Sequence, residues 1–251
     1  MKDISERDQL VIETCLLAGK IMIENGSEMS RVTDTIDRIS KNAHVEQARS
    51  YVTLTGIIMS AGPKVGSQVI AIERRGFDLE KISVVNDYSR KYGAGLITLH
   101  QFYNRLKHIN EHVKTFPFWM QVFGAALVSG PLEIVFRGNL IDFWITCLIG
   151  IVGYIAYYAI DKYLNVQFIS EFIAALLIGI FSILSVWFNL GTNIDDIIIG
   201  SIMPLVPGVP ITNAVRDVLS GNLVSGPARG IEALMSACAL GIGVAVAIKL
   251  L

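Results

Sequence analysis

Residues 118–136, 140–160, 168–190 and 230–248 are apolar stretches of nineteen to twenty-three residues, and each holds a single charge: Glu133, Asp142, Glu171 and Glu232 in turn. An α-helix needs about 20 consecutive apolar residues to cross the ~30 Å hydrocarbon core of a bilayer. A chain with four such stretches is not a water-soluble globule. A further apolar segment, 196–219, is interrupted by Pro204, Pro207, Gly208 and Pro210. Counted as one broken span, it brings the carboxyl-terminal half to five spans.

The other half reads differently. Residues 1–114 carry 16 Lys/Arg and 14 Asp/Glu, whereas residues 115–251 carry only 5 and 8. The first density is that of an ordinary soluble domain, about 25% charged. The expected fold is therefore an α+β domain over 1–114 followed by an all-α polytopic membrane domain over 115–251, with about five transmembrane helices, one of them broken by Pro and Gly. The net charge is −1 and no long basic run occurs, which argues against nucleic acid as a partner.

Within 1–114, apolar positions at helical spacing predict a helix over 6–25, stopped at Gly26, and a second one capped by Ser27 and running through Met29, Val32, Ile36 and Ile39. Residues 50–60 and 67–75 alternate and are rich in β-branched side chains, so with the turn chemistry of 61–66 they predict a β-hairpin. Asp78 caps a helix over 79–92, and another helix fits 98–113. His108, Glu111 and His112 match the H-x-x-E-H pattern of some zinc hydrolases, but no third ligand is recognisable, so the plain reading is a polar helix face. No phosphate loop or nucleophile elbow occurs. Cys15, Cys147 and Cys238 have no metal or disulfide spacing. No catalytic residue, cofactor or metal site is expected.

The amino terminus, MKDISERDQL, is too charged for a signal peptide, so the first domain is expected in the cytoplasm. With that orientation the inner segments carry Arg105, Lys107, Lys114, Lys162, Arg216 and Arg229, and the outer ones only Arg137 and Lys249. This agrees with the positive-inside rule and places the carboxyl terminus outside. Small residues recur every fourth position along the last span, at Ala233, Ala237, Gly241 and Ala245; such a face serves either packing within the chain or a subunit contact.

Segment 203–217, MPLVPGVPITNAVRD, carries the most chemistry. Its prolines remove helix donors, and irregular backbone at membrane depth is tolerated only where protein buries it or it lines a water-filled cavity. In transporters, the ends of such broken helices bind substrate or ions. Asn213, Arg216 and Asp217 share one face of the following helix, so the candidate substrate pathway is Pro204, Pro207, Gly208, Pro210, Asn213, Arg216 and Asp217. Arg216 suits a carboxylate, and Asp217 or Asn213 an amine or hydroxyl. Of the four intramembrane acids, each within about a turn of a span end where water can reach, Glu133 and Glu171 are the candidates for proton or ion coupling.

LLAGKIMIENGSEMSRVTDTIDRI, YVTLTGIIMSAG and above all LVPGVPITNAVRDVLSGNLVSGPARGIEALMSACALGIGVAVA resemble the threonine/serine exporter family. Pro207, Gly208, Pro210, Asn213, Arg216, Asp217 and Gly221 occupy its P-G-x-P-x-x-N-x-x-R-D-x-x-x-G positions. The resemblance implies an exporter in the cell membrane, with a cytoplasmic amino-terminal domain and ten spans in the complete transporter. With five spans, this chain resembles the larger subunit of the split form, whose partner is a small integral membrane protein. It implies threonine/serine or a dicarboxylate such as succinate as substrate, and export driven by an ion gradient. Two rival readings stand beside it: a membrane-tethered hydrolase with 1–114 as the enzyme, and a structural or sensory membrane module.

Overall fold

The computed structural model describes residues 6–45, 47–62, 66–73, 76–112, 116–137, 140–164 and 166–250. The expected turn residues Pro63, Lys64 and Val65, the expected domain boundary at Lys114–Thr115, and the side chains of His112 and Arg137 lie outside them. Two units emerge: Met1–Thr115 with Val209–Gly230, and Phe116–Gly208 with Ile231–Leu251. The division by contacts thus sets most of the segment after the proline cluster with the amino-terminal part of the chain.

In the first unit, α1 (Glu6–Glu24) and α2 (Met29–Asn42) form a helical hairpin that packs on a small sheet and on α3 (Leu79–Gly93) and α4 (Leu99–His112). The core takes the predicted face of α2, with Val32, Ile36 and Ile39, together with Val11, Cys15 and Met22 of α1, Ile82 and Val85 of α3, and Phe102, Leu106 and Ile109 of α4. His108 and Glu111 fall on the exposed face of α4. Burial pushes the Cys15 thiol up to about 12, so it is a small core side chain and not a nucleophile. Gly26 turns the chain between α1 and α2 at φ +89°, a conformation that only glycine adopts freely. Ser27 is not the N-cap of α2: Glu28 holds that position without a side-chain bond, and the Ser27 hydroxyl donates to the Glu28 carbonyl.

The sheet has three antiparallel strands in the order β1 (Arg49–Thr53), β2 (Gly56–Ser60), β3 (Ser67–Ala71). The expected single strand over 50–60 is itself a hairpin, turned at Leu54–Thr55, with Thr53 opposite Gly56. The Thr53 hydroxyl donates to the Gly56 carbonyl across this turn, and the Leu54 N–H donates to Ser225 Oγ.

The second unit contains α5 (Phe118–Arg137), α6 (Phe143–Leu164), α7 (Gln167–Trp187), α8 (Ile194–Ile202) and most of α10 (Ser225–Leu250). α5, α6, α7 and α10 are long and apolar enough to cross a membrane; α8 with its 3₁₀ extension and α9 (Gly208–Leu219) form a bent pair that makes a fifth if counted as one span. The helices meet through small residues, as membrane helices do. A Cβ on Gly150 of α6 would run into Ser129 Oγ of α5, and a Cβ on Gly243 of α10 would come 2.5 Å from the Phe172 carbonyl of α7. Trp119, Phe123, Trp144, Leu148 and Trp187 point outward, as side chains do where lipid is the solvent. On the part of α10 that belongs to this unit the buried positions are Ala233, Ser236, Leu240, Gly243 and Ala247. Ala237, Gly241 and Ala245 of the small-residue stripe are exposed, so the stripe is mostly not the packing face.

Candidate functional site

The proline segment breaks the helix where the sequence predicts. α8 passes into a 3₁₀ turn, Met203–Leu205, opened by Pro204, and Val206 is extended at φ −64° and ψ 128°. A residue before proline is pushed out of the helical region by the next ring, which accounts for Val206 in front of Pro207. α9 starts at Gly208 and carries Pro210 in its first turn, where a missing N–H disturbs no helical bond. A Cβ at Gly208 would meet nothing within 4 Å, so this glycine leaves open space at the start of α9. The N–H groups of that first turn lack partners within the helix.

Further along α9, the polar face is engaged with the α1–α2 turn. Asn213 Nδ2 donates to the Gly26 carbonyl at 2.9 Å. Asp217 Oδ1 accepts the Met29 N–H at 2.8 Å, and so supplies from another helix the N-terminal cap that α2 lacks locally. Asp217 Oδ2 faces Arg229 Nη1 at 3.2 Å, with both side chains buried, and Arg229 Nη2 donates to the Ser27 carbonyl at 2.9 Å. Arg216 is the exception: its side chain is 63% exposed, and its contact to Glu28 at 3.4 Å is a surface pair. Arg229 belongs to this cluster although the sequence marks it only as a positive charge near a span end. A fully buried arginine requires a carboxylate, and nothing in the twelve-residue spacing announces that Asp217 is its partner.

The intramembrane acids are not where solvent can reach them. Glu133, Asp142 and Glu171 are buried, against the expectation that span ends would leave them solvated; only Glu232 is partly exposed. For Glu133 and Asp142 the physical reason is the α7–α8 linker and α8 itself, which cover the ends of α5 and α6. Asp142, just before α6, accepts the Thr192 N–H and hydroxyl, both at 2.7 Å, and the Asn193 N–H at 3.1 Å, which fastens the start of α8 over it. Glu171 accepts Gln167 Nε2 at 3.1 Å through one oxygen. Neither oxygen of Glu133 has a hydrogen-bond partner. Among the described residues no group of three or more His, Cys, Asp or Glu side chains could hold a metal ion.

A family model described as "Putative threonine/serine exporter" matches residues 13–251. The chain belongs to the threonine/serine exporter family. It is 19% identical over 249 residues to a protein of Mycobacterium tuberculosis (strain ATCC 25618 / H37Rv) named "Probable threonine/serine exporter". That alignment covers 95% of this chain and 46% of the relative, so the chain spans about half the length of the curated relative it matches. No solved structure matches it. The family is one of exporters and not of enzymes, which removes the ground for reading 1–114 as a hydrolase.

Set against the exporter motif, the sequence-predicted residues divide. Pro204, Pro207 and Gly208 belong to the second unit, and Pro210, Asn213, Arg216 and Asp217 to the first. Asn213 and Asp217 bond to protein groups, Arg216 reaches solvent, and Glu133 and Glu171 sit on different helices, α5 and α7.

Proposed function

We propose that this chain is part of a secondary transporter that exports a small carboxylate-bearing metabolite, threonine/serine or a dicarboxylate such as succinate, energised by an ion gradient. The observation that carries the reading is the family match over 13–251 together with the Pro/Gly break at its motif. A relative about twice as long is in keeping with a further part in the working transporter, which this reading assigns to a separate small membrane subunit. Residues 1–114 are read as cytoplasmic and the carboxyl terminus as external from the distribution of Lys and Arg.

Substrate recognition falls to the groups that the fold leaves available. Arg216 offers an exposed guanidinium whose pairing with Glu28 is weak, because exposed pairs contribute about 0–1 kcal/mol. The first turn of α9, where a Cβ at Gly208 would meet nothing, offers the N–H groups of Val209 and Ile211 to an anion; that of Gly208 donates to the Val206 carbonyl and Pro210 has none. Eight residues of helix separate them, about 12 Å at 1.5 Å per residue. We assign the two elements to successive positions on the pathway. Asn213 and Asp217 shape that pathway by holding α9 on the α1–α2 turn.

The test is counterflow of labelled threonine, serine and succinate in proteoliposomes containing the chain and its partner. Wild type is expected to exchange at least one of them, and Arg216→Ala to exchange it far more slowly. If no substrate moves, the exporter reading is wrong; if Arg216→Ala matches wild type, the assignment of Arg216 is wrong.

A further inference from the structure

Glu133 is fully buried, and both of its carboxylate oxygens lack a hydrogen-bond partner. No other acid among the described residues combines the two. Its neighbour Thr146, on α6, is also fully buried with its hydroxyl unpaired. The two groups are close enough to interact without meeting in hydrogen-bond geometry. The surrounding hydroxyls are directed elsewhere: Ser129 Oγ donates to the Ala125 carbonyl at 2.9 Å, and Ser201 Oγ to the Thr146 carbonyl at 3.1 Å.

The nest is closed tightly. A Cβ on Gly200 of α8 would come 2.5 Å from Thr146 Cγ2, 2.8 Å from Glu133 Cβ and 3.0 Å from the Ser129 carbonyl. Glycine at 200 therefore lets α8 descend onto Glu133 and shut out water. The titratable groups near Glu133 among the described residues are Asp142 and Cys147 from the α6 side and Asp196 from α8. The 3₁₀ turn against α5 offers Met203, Pro204 and Leu205. The charged neighbours are thus both acids.

An ionised carboxylate enclosed in protein, unbonded and facing further acids, is strongly disfavoured and neutralises instead. We propose that Glu133 holds a proton in this conformation, and that the Glu133–Thr146 pair between α5, α6 and α8 is the site where proton movement is tied to transport. The proton adds to a carboxylate oxygen to give the acid, whose O–H can reach Thr146 Oγ1 as an acceptor once either side chain turns toward the other. When α8 lifts and water enters, the acid returns the proton to water and the carboxylate is solvated. The coupling role rests on the exporter reading above; the bound proton does not.

Two measurements test this separately. Infrared spectra of the purified full chain with its partner, at neutral pH, are expected to show the carbonyl stretch of a protonated carboxylic acid. That band is lost in Glu133→Gln and kept in Glu171→Gln. Thr146→Val keeps the band and moves its titration midpoint, which preserves the test if Glu133→Gln fails to fold. A missing band in wild type, a band unaffected by Glu133→Gln, or a band abolished when sodium chloride replaces choline chloride overturns the proposal, the last in favour of a metal cation.

In proteoliposomes, Glu133→Gln is expected to keep counterflow while pH-driven accumulation falls to the level seen without a gradient. If Glu133→Gln still accumulates substrate with the pH gradient, the coupling role fails. If wild type moves no substrate at all, the exporter reading fails, and the infrared result stands by itself.

Discussion

Asp217 and Glu133 are both fully buried carboxylates, yet their surroundings are opposite. Asp217 receives a backbone N–H from Met29 and faces a buried arginine, Arg229, whose other nitrogen is fixed on the Ser27 carbonyl. Glu133 has two unbonded oxygens, an unpaired threonine hydroxyl and two acids for neighbours. A buried charge supplied with bonds and a counter-ion is a fixed piece of architecture. One supplied with neither is stable only while neutral, and can change state when the structure opens. Burial alone therefore says little about what an acid in such a chain does; the partners decide it.

The contrast is broken most forcefully at the first site. Arg229→Met leaves Asp217 charged and uncompensated, a change that costs about 3–5 kcal/mol, read as a large fall in the thermal unfolding midpoint of the purified protein. Adding Asp217→Asn to Arg229→Met removes the stranded charge but keeps an acceptor for the Met29 N–H, and should recover part of the loss. Next in size is Gly200→Ala, where the added methyl overpacks the nest at a cost of about 1–3 kcal/mol. It is expected to lower the midpoint and, by holding α8 off Glu133, to weaken the infrared band of the acid as well. Glu133→Gln replaces a neutral acid by a neutral amide of the same shape and strands no charge, so its effect on the midpoint should be smaller than that of Arg229→Met. A loss as large as that of Arg229→Met would show that Glu133 is charged and paired after all.

The smallest effect concerns Cys15, with its thiol pushed from the ordinary 9.0 up to about 12 by burial. In a variant lacking Cys147 and Cys238, maleimide should label Cys15 only after unfolding. Because the folded value is the raised one, this thiol leaves stability unchanged below about 9 and lowers it as pH rises from there toward 12. Rapid labelling of the native protein at neutral pH would contradict the packing of α1 against α2.

Elements whose information is local were legible in the sequence. Apolar spacing gave α1 nearly to the residue, the Asp78 cap gave the start of α3, and length with hydropathy gave the four uninterrupted spans. The break at Pro207 follows from the ring itself. The β1–β2 turn was not legible, because Thr53-Leu54-Thr55-Gly56 continues the alternation of the strands on either side and carries no proline. Neither was the capping of α2, since the acceptor for Met29 lies 188 residues away. For the same reason, three motif residues that share one face of α9 read as a substrate site, while two of them hold a turn in the first unit. The full burial of Glu133 was not legible because distance from a span end measures exposure only if nothing covers that end. The covering element, α8, is positioned by Gly200 and by the bonds to Asp142, and none of these has a periodic signature.

Pro131 lies inside α5, two residues before Glu133. Proline has no amide hydrogen, so the helix loses the bond that would join residue 131 to the carbonyl of Leu127. Mechanically, the piece of α5 that bears the acid hangs from the rest of the helix by one strut fewer. The bending of that end is therefore softer than elsewhere along the rod, and the compliance lies beside the one side chain whose chemistry depends on whether its cover is open or shut.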